Sequence, residues 1–285
     1  MSGTMTALIA AALIWGAGWV LNLRLAARPD APWVRFLVPA IFGLTLLAIW
    51  ELLVRMLGVS GVILPPPTAI AARFAGEIPI LWADFAQTIL KGAIPGYLIG
   101  GAAAFAVAIL ADRSDFLRRG VLPVGSFMAA LPIIGIAPIF VKWLGNDWES
   151  KAAVVGVMVF FPILVNTVAG LAQASAMQRD LMRTYGAGYT PSLLKLRLPA
   201  AMPFIFNGLK ISTTLALIGA IVAEFFGSPT VGMGFRISTS VGQLAMDMVW
   251  AEIVVAALAG SAFYGLVATI EKRVTFWHPS QRKQR

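Results

Sequence analysis

Between Asp180 and Pro203 the chain sets Arg183, Lys195 and Arg197 among two glycines, Gly186 and Gly188, and three prolines, Pro191, Pro199 and Pro203. No covalent chemistry follows from these residue types. The chain has no cysteine and a single histidine, His278, in a polar tail. It contains no Ser-His pair, no metal-ligand spacing and no G-x-x-x-x-G-K-[ST] phosphate loop. The expectation is no catalytic residue, no metal and no cofactor held by this chain. What the segment can supply is shape and contact. Residues 175–185, SAMQRDLMRTY, have the pattern of an amphipathic helix, and Gly186 follows where a left-handed helix-ending residue belongs. Thr190 then offers an N-cap and Pro191 a first helical position. Leu193, Leu194 and Leu196 give a short second helix an apolar side, and Pro199 is expected to end it. A loop that merely joined two elements needs only a few residues. The pattern predicts a helix–turn–helix of fixed shape. Local physics leaves open whether it docks a partner or is a solvated amphipathic loop.

The rest of the chain must position that segment, and it is oily. Of 285 residues, 59% are hydrophobic and 12% charged, with a mean hydropathy of +0.83; a soluble domain carries about a quarter charged residues. Apolar runs at about 5–23, 34–57, 86–111, 121–144, 152–174, 202–226 and 250–270 predict seven membrane-crossing helices. They lack the short alternating segments of a β-barrel. The first run lacks the basic start of a signal peptide, so a retained helix over residues 1–30 is expected. The net charge of +9 points to basic cytoplasmic loops of a membrane protein rather than to nucleic acid. The connections at 24–35, 112–120 and 175–201 and the tail from 271 hold fifteen Lys and Arg, against Arg73, Lys151 and Arg236 on the other side. By the positive-inside rule the first set is cytoplasmic, with the N-terminus outside and the C-terminus inside.

Several further residues invite a role. Pro65, Pro66 and Pro67 stop a helix, and Thr68 has the type of an N-cap for a surface helix. Glu51 and Arg55 are spaced to pair on one helix face. Gly92, Gly96 and Gly100 recur every four residues and predict close helix packing within the chain, with Pro95 as a possible kink. Residues 225–248 are too polar to span and predict a folded-back loop with short helices. Glu224, at the outer end of the sixth run, is expected chiefly to anchor that loop. For a solute path, Met128, Leu131, Pro132 and Ile136 fall near mid-span of the fourth run, and Ser212, Thr213 and Glu224 belong to the sixth. Pro132 and Pro138 are both expected to break helical regularity.

Residues 180–199 resemble the cytoplasmic signature loop of permease subunits of bacterial ABC importers: E-A-A, three residues, G, nine residues, I-x-L-P. Asp180-Leu181-Met182 stands at E-A-A, Gly186 at the glycine and Leu196-Arg197-Leu198-Pro199 at I-x-L-P. The spacing matches throughout; the residue types depart at the front. LPPPTAI (64–70), ALPIIGIAPIFVKWLG (130–145), FFPILVNTVAGL (160–171), LPAAMPFIFNGLKIS (198–212) and VAEFFGSPTVGMGF (222–235) resemble the nitrate/sulfonate/taurine-type permeases. Together they cover about 34–275.

The resemblance implies an all-α polytopic membrane protein with a six-helix type I importer core of the MetI-like kind, over 31–275. An extra N-terminal helix precedes it and a basic cytoplasmic tail, 276–285, follows. It implies an inner-membrane permease that binds no nucleotide itself. Two cytoplasmic ATPase subunits would use ATP and Mg. A second permease copy, identical or paralogous, and a periplasmic or lipid-anchored binding protein complete the assembly within membrane lipid. Asp180, Leu181, Met182, Gly186, Thr190, Pro191, Leu194, Leu196, Leu198 and Pro199 would form the ATPase-coupling loop, with Arg183, Lys195 and Arg197 offering charge to the partner. The implied cargo is a nitrate-, sulfonate- or taurine-like anion, or a pyrimidine-like or aromatic vitamin precursor. An ion-coupled secondary transporter is the competing reading; it would need a mid-membrane carboxylate, and the few carboxylates here fall near helix ends.

Overall fold

The computed structural model describes residues 2–27, 33–129, 131–227 and 230–277. Among them there is helix and no strand: α1 (Ser2–Ala26), α2 (Val34–Met56), α3 (Pro67–Gly76), α4 (Ile78–Arg113), α5 (Asp115–Ala129), α6 (Ile133–Leu144), α7 (Trp148–Leu171), α8 (Ala176–Thr184), α9 (Tyr189–Phe226), α10 (Met233–Gly242) and α11 (Met246–Val274). Six of these, α1, α2, α4, α7, α9 and α11, are long and apolar enough to cross a bilayer. The basic tail from residue 278 lies outside the described residues.

The fourth apolar run is not one helix. Pro132 disfavours helical backbone in Leu131 ahead of it and then caps α6 from outside, so the run becomes α5 and α6. Pro138, expected to break the helix as well, sits inside α6 without ending it. Two other prolines are absorbed by a different device. Ile94-Pro95 and Leu198-Pro199 each follow a π-turn, Ala86–Ala93 and Leu193–Arg197. There Ile94 N–H bonds the Ile89 carbonyl and Leu198 N–H bonds that of Leu193, five residues back. The wider turn makes room for a ring that would otherwise strike the carbonyl four residues earlier. Pro199 therefore does not end a short helix, as its type predicts; the chain runs on through it as the 38-residue α9.

Two compact units are present. The first comprises residues 1–81 and 239–253. In it α1 packs on α2, and Gly18 approaches Thr45 so closely that a Cβ would lie 2.4 Å from the hydroxyl oxygen. Glu51 and Arg55 pair as expected, and they do more: the Glu51 carboxylate accepts from the Thr68 N–H at 3.0 Å and the Thr68 hydroxyl at 2.8 Å. Thr68 is thus not the N-cap of α3. Pro66 holds that position, and the start of the helix is capped across the fold by a carboxylate from α2. Arg73 on α3 bonds Asp247 at 2.9 Å, and Trp50 meets Trp250 edge-on.

The second unit comprises residues 82–238 and 254–285. Its centre is α7, flanked by α4 and α9. The glycine spacing of α4 serves this contact: a Cβ on Gly96 would stand 2.6 Å from the Ala152 carbonyl, and one on Gly100 2.5 Å from that of Gly156. The buried core runs through Ile89, Tyr97, Val155, Val159, Ile163, Leu164, Ala216 and Ala220. Tyr97 donates its hydroxyl to the Leu209 carbonyl at 3.1 Å, and Lys210 pairs with Glu271 at 2.6 Å.

Candidate functional site

The predicted loop is a built structure. Ser175 caps α8 by accepting from the Gln178 N–H at 3.2 Å, while the Gln178 side chain accepts from the Ser175 N–H at 2.9 Å. This reciprocal box was readable in the S-x-x-Q spacing. At the other end Gly186 adopts φ +69°. The Gly186 N–H bonds the Arg183 carbonyl at 2.8 Å and the Ala187 N–H that of Met182 at 3.0 Å. That pair of bonds is the Schellman ending, which asks for a left-handed residue and hence for glycine. Both ends of α8 are closed, yet none of its residues is buried. Met177, Leu181 and Tyr185, four residues apart, line one face and are 81%, 55% and 81% exposed. Asp180 pairs with Arg183 at 3.3 Å in the open, and Met182 is half-buried.

The returning arm of the loop differs from its prediction. Gly188, not Thr190, is the N-cap, so Thr190 and Pro191 occupy the second and third helical positions. Pro191 is accommodated because the first turn of a helix needs no N–H there. Leu194 is exposed, whereas Leu193 is buried with Leu171, Ala201 and Ile205, and Leu198 packs against them; Leu196 and Pro199 are half-buried. The larger correction concerns Arg197. It is not offered to a partner. Its guanidinium turns inward and forks onto Asp112 at the end of α4, with Nη1 to Oδ2 at 2.7 Å, and also donates to the Leu171 carbonyl at the end of α7. The Tyr189 hydroxyl donates to the same Asp112 oxygen at 2.9 Å, and Arg113 stacks over the Tyr189 ring. The Arg197 and Asp112 side chains are only 14% and 7% exposed. Every strong group in this knot is partnered, so the base of the loop is tied to the ends of two spans. Sequence spacing could not find Asp112, which is 85 residues from Arg197.

With the loop's geometry in hand, comparison with known proteins decides the family. Residues 96–276 match the model of the binding-protein-dependent transport system inner membrane component. The chain belongs to that family. It is 31% identical over 253 residues to the formylaminopyrimidine transport permease protein ThiX of Halalkalibacterium halodurans, covering 86% of this chain and 97% of the relative. It is 28% identical to the putative aliphatic sulfonates transport permease protein SsuC of Bacillus subtilis, over 87% of this chain and 89% of that one. It is also 28% identical to the riboflavin transport system permease protein RibX of Chloroflexus aurantiacus, over 82% and 88%. This is therefore an integral membrane permease of the ABC transporter class.

At the far end of α9 the permease has a second polar knot. Glu224 is 2% exposed. Its carboxylate accepts from the Thr88 hydroxyl at 2.9 Å and from the Gly234 N–H at 2.8 Å, and Thr88 Oγ1 in turn accepts from the Met233 N–H at 2.8 Å. Asp84 accepts from the Gly232 N–H at 2.6 Å and the Arg236 guanidinium at 2.8 Å. Glu224 thus ties the loop that leads into α10 to α4. Ser212 and Thr213 are both fully buried, with hydroxyls donated to the Val159 and Lys210 carbonyls. Leu131 and Ile136 do share a cavity of about 170 Å³, with Val157, Met158, Phe161 and Leu215 among its other walls. Pro132 is exposed at the α5–α6 break beside it. The Met128 side chain lies outside the described residues.

Proposed function

We propose that this permease is the membrane-spanning subunit of an ATP-driven importer, and that α8 with the turn at Gly186 is the element through which a separate cytoplasmic ATPase moves it. The observation that carries this reading is the combination found at α8. Its ends are capped, the start of α9 that follows it is tied to α4 and α7 through Tyr189 and Arg197, and its Met177, Leu181 and Tyr185 face is open. A helix held so firmly, with its apolar side left uncovered, suits a lever that receives force from a docked partner. Asp180, Leu181 and Met182 would sit in the partner's groove. Leu194 and the half-buried Leu196 would extend the contact. Gly186, Thr190, Pro191, Leu198 and Pro199 would hold the shape. Two such subunits would pair with two ATPase subunits and a binding protein, and α8 would face the cytoplasm. ATP and Mg would belong to the partner.

For the cargo we propose a small heteroaromatic solute. The cavity beside the α5–α6 break is walled by Leu131, Ile136, Val157, Met158, Phe161 and Leu215, and such a lining favours a flat, weakly charged ring over a bare anion. The relative that transports formylaminopyrimidine points the same way. A sulfonate-like anion is the second reading, favoured by the aliphatic-sulfonate relative. The test is reconstitution with the cognate ATPase and binding protein in proteoliposomes. The expected outcome is ATP-dependent uptake of a pyrimidine-class solute. Uptake driven by a proton or sodium gradient without the ATPase would overturn the importer reading. ATP-dependent uptake of sulfonates alone would overturn only the cargo.

A further inference from the structure

The carboxamides of Asn166 on α7 and Asn207 on α9 meet on the side of these helices that carries the cavity beside the α5–α6 break. Asn207 Nδ2 donates to Asn166 Oδ1 at 3.1 Å, and Asn166 Nδ2 donates to the Pro162 carbonyl at 2.8 Å. Gly208 permits the approach: a Cβ there would stand 2.9 Å from the Asn166 Cβ and 3.1 Å from the Pro162 carbonyl oxygen. Asn207 is exposed, and among the described residues nothing else bonds it, so its Oδ1 and one N–H stay free. α7 has 24 residues, which makes it about 36 Å long against a hydrocarbon layer of about 30 Å. Asn166 lies about 7 Å inside the end of α7 at Leu171. The pair therefore sits at hydrocarbon depth.

Free amide groups at that depth are costly against lipid, and the neighbouring residues show what meets them instead. Pro162 and Met158, one and two turns before Asn166, are walls of the cavity of about 170 Å³. Pro162 also lacks the N–H that the Met158 carbonyl would take, so this wall carries an acceptor without its helical donor. On α9, Asn207, Ile211 and Thr214 form one exposed stripe, and Leu215 beside it is another wall of the same cavity. We propose that the Asn166–Asn207 pair is the hydrogen-bonding step of the solute path and selects a ring that carries an N–H donor next to a nitrogen or carbonyl acceptor. This inference rests on the reading of the permease as an importer of a heteroaromatic solute. The free Oδ1 and N–H of Asn207 belong to one planar group, and a carboxamide pairs with such a ring edge through two hydrogen bonds, as asparagine does with adenine. A sulfonate offers acceptors only and would leave the Oδ1 unpaired.

The chain has no cysteine, so Ile211→Cys, one turn from Asn207, creates a single reporter beside an intact pair. The permease is reconstituted in proteoliposomes with its ATPase and binding protein, and modification of that cysteine by a charged methanethiosulfonate is followed by the mass of the permease. It should react several-fold faster than Leu98→Cys, an exposed position on α4, because a thiol in apolar surroundings stays protonated and inert. 4-Aminopyrimidine should slow the reaction several-fold and methanesulfonate should not. Adding Asn207→Leu should abolish that protection. Reaction no faster than at Leu98→Cys overturns the inference, and a crosslink between two Ile211→Cys chains would then assign the face to a second copy. Absence of protection by 4-aminopyrimidine, or protection that survives Asn207→Leu, overturns the role of the pair; ATP-driven uptake of the same ring by the same vesicles tests the cargo reading separately. Protection by methanesulfonate instead overturns that role together with the heteroaromatic cargo.

Discussion

The two ends of α9 are both tied by buried carboxylates, but they leave opposite surfaces behind. At the α8 end, Asp112 takes the Arg197 guanidinium and the Tyr189 hydroxyl, and the neighbouring α8 buries none of its residues. At the α10 end, Asp84 and Glu224 take backbone N–H groups of Gly232 and Gly234, and the segment they hold is drawn inward, with Met233 fully buried. A side-chain knot at the base of a loop can hold it while leaving its tip free. Carboxylates that bind the loop's own backbone leave no tip to offer. The first arrangement suits a surface that meets another protein. The second suits a plug or rim that must keep its place.

The contrast can be broken at either knot. Asp112→Ala would strand the Arg197 guanidinium in a site where its side chain is 14% exposed. Removing one partner of a buried pair costs about 3–5 kcal/mol, so the expected result is a large drop in thermal stability together with loss of ATP-driven transport. Glu224→Gln keeps the shape but exchanges a carboxylate oxygen for a donor facing donors. A loss of about 1–3 kcal/mol is expected, read as earlier unfolding and faster proteolysis in 227–234, with α8 still protected. If cleavage instead appears first in α8, the two knots are not independent.

Gly186→Val sharpens the comparison at the exposed end. A β-branched residue at φ +69° costs about 1–2 kcal/mol, and the Schellman ending should fray. The expected outcome is a permease that inserts and still binds the ATPase, but whose hydrolysis no longer responds to the loaded binding protein. Substrate-stimulated hydrolysis at the wild-type level would remove the turn from the mechanism. Leu181→Ser should have the smallest effect on the fold, within about 0.5 kcal/mol as for other exposed positions. Its effect should lie in retention of the ATPase during purification. Unchanged retention would move the docking face away from Met177, Leu181 and Tyr185.

Much of this molecule is local and was legible in one dimension. The oily runs predict the long helices because a bilayer leaves backbone groups no partners but one another. Gly186 predicts its own left-handed turn, since only a residue without Cβ takes it readily. The glycine ladder of α4 predicts a close contact but does not name α7 as the neighbour. Other features went unread because their partners are distant in the chain. Thr68 has the type of an N-cap, yet Glu51 supplies the cap from another helix. Arg197 looks like surface charge until the fold brings up Asp112. Pro199 has the type of a helix end, yet the π-turn before it carries the helix through.

The sequence by itself determined most of the long membrane-crossing helices and that residues 175–201 form a shaped loop, and its motifs carried the resemblance to importer permeases. Composition, proline and glycine positions and short spacings act over one or two turns, and they are written in chain order. Only the tertiary structure decided which charges face inward, which hydroxyls are spent on the backbone, and which side of α8 stays open. Those outcomes depend on desolvation, and a charge loses its water or keeps it according to neighbours that arrive from elsewhere in the chain.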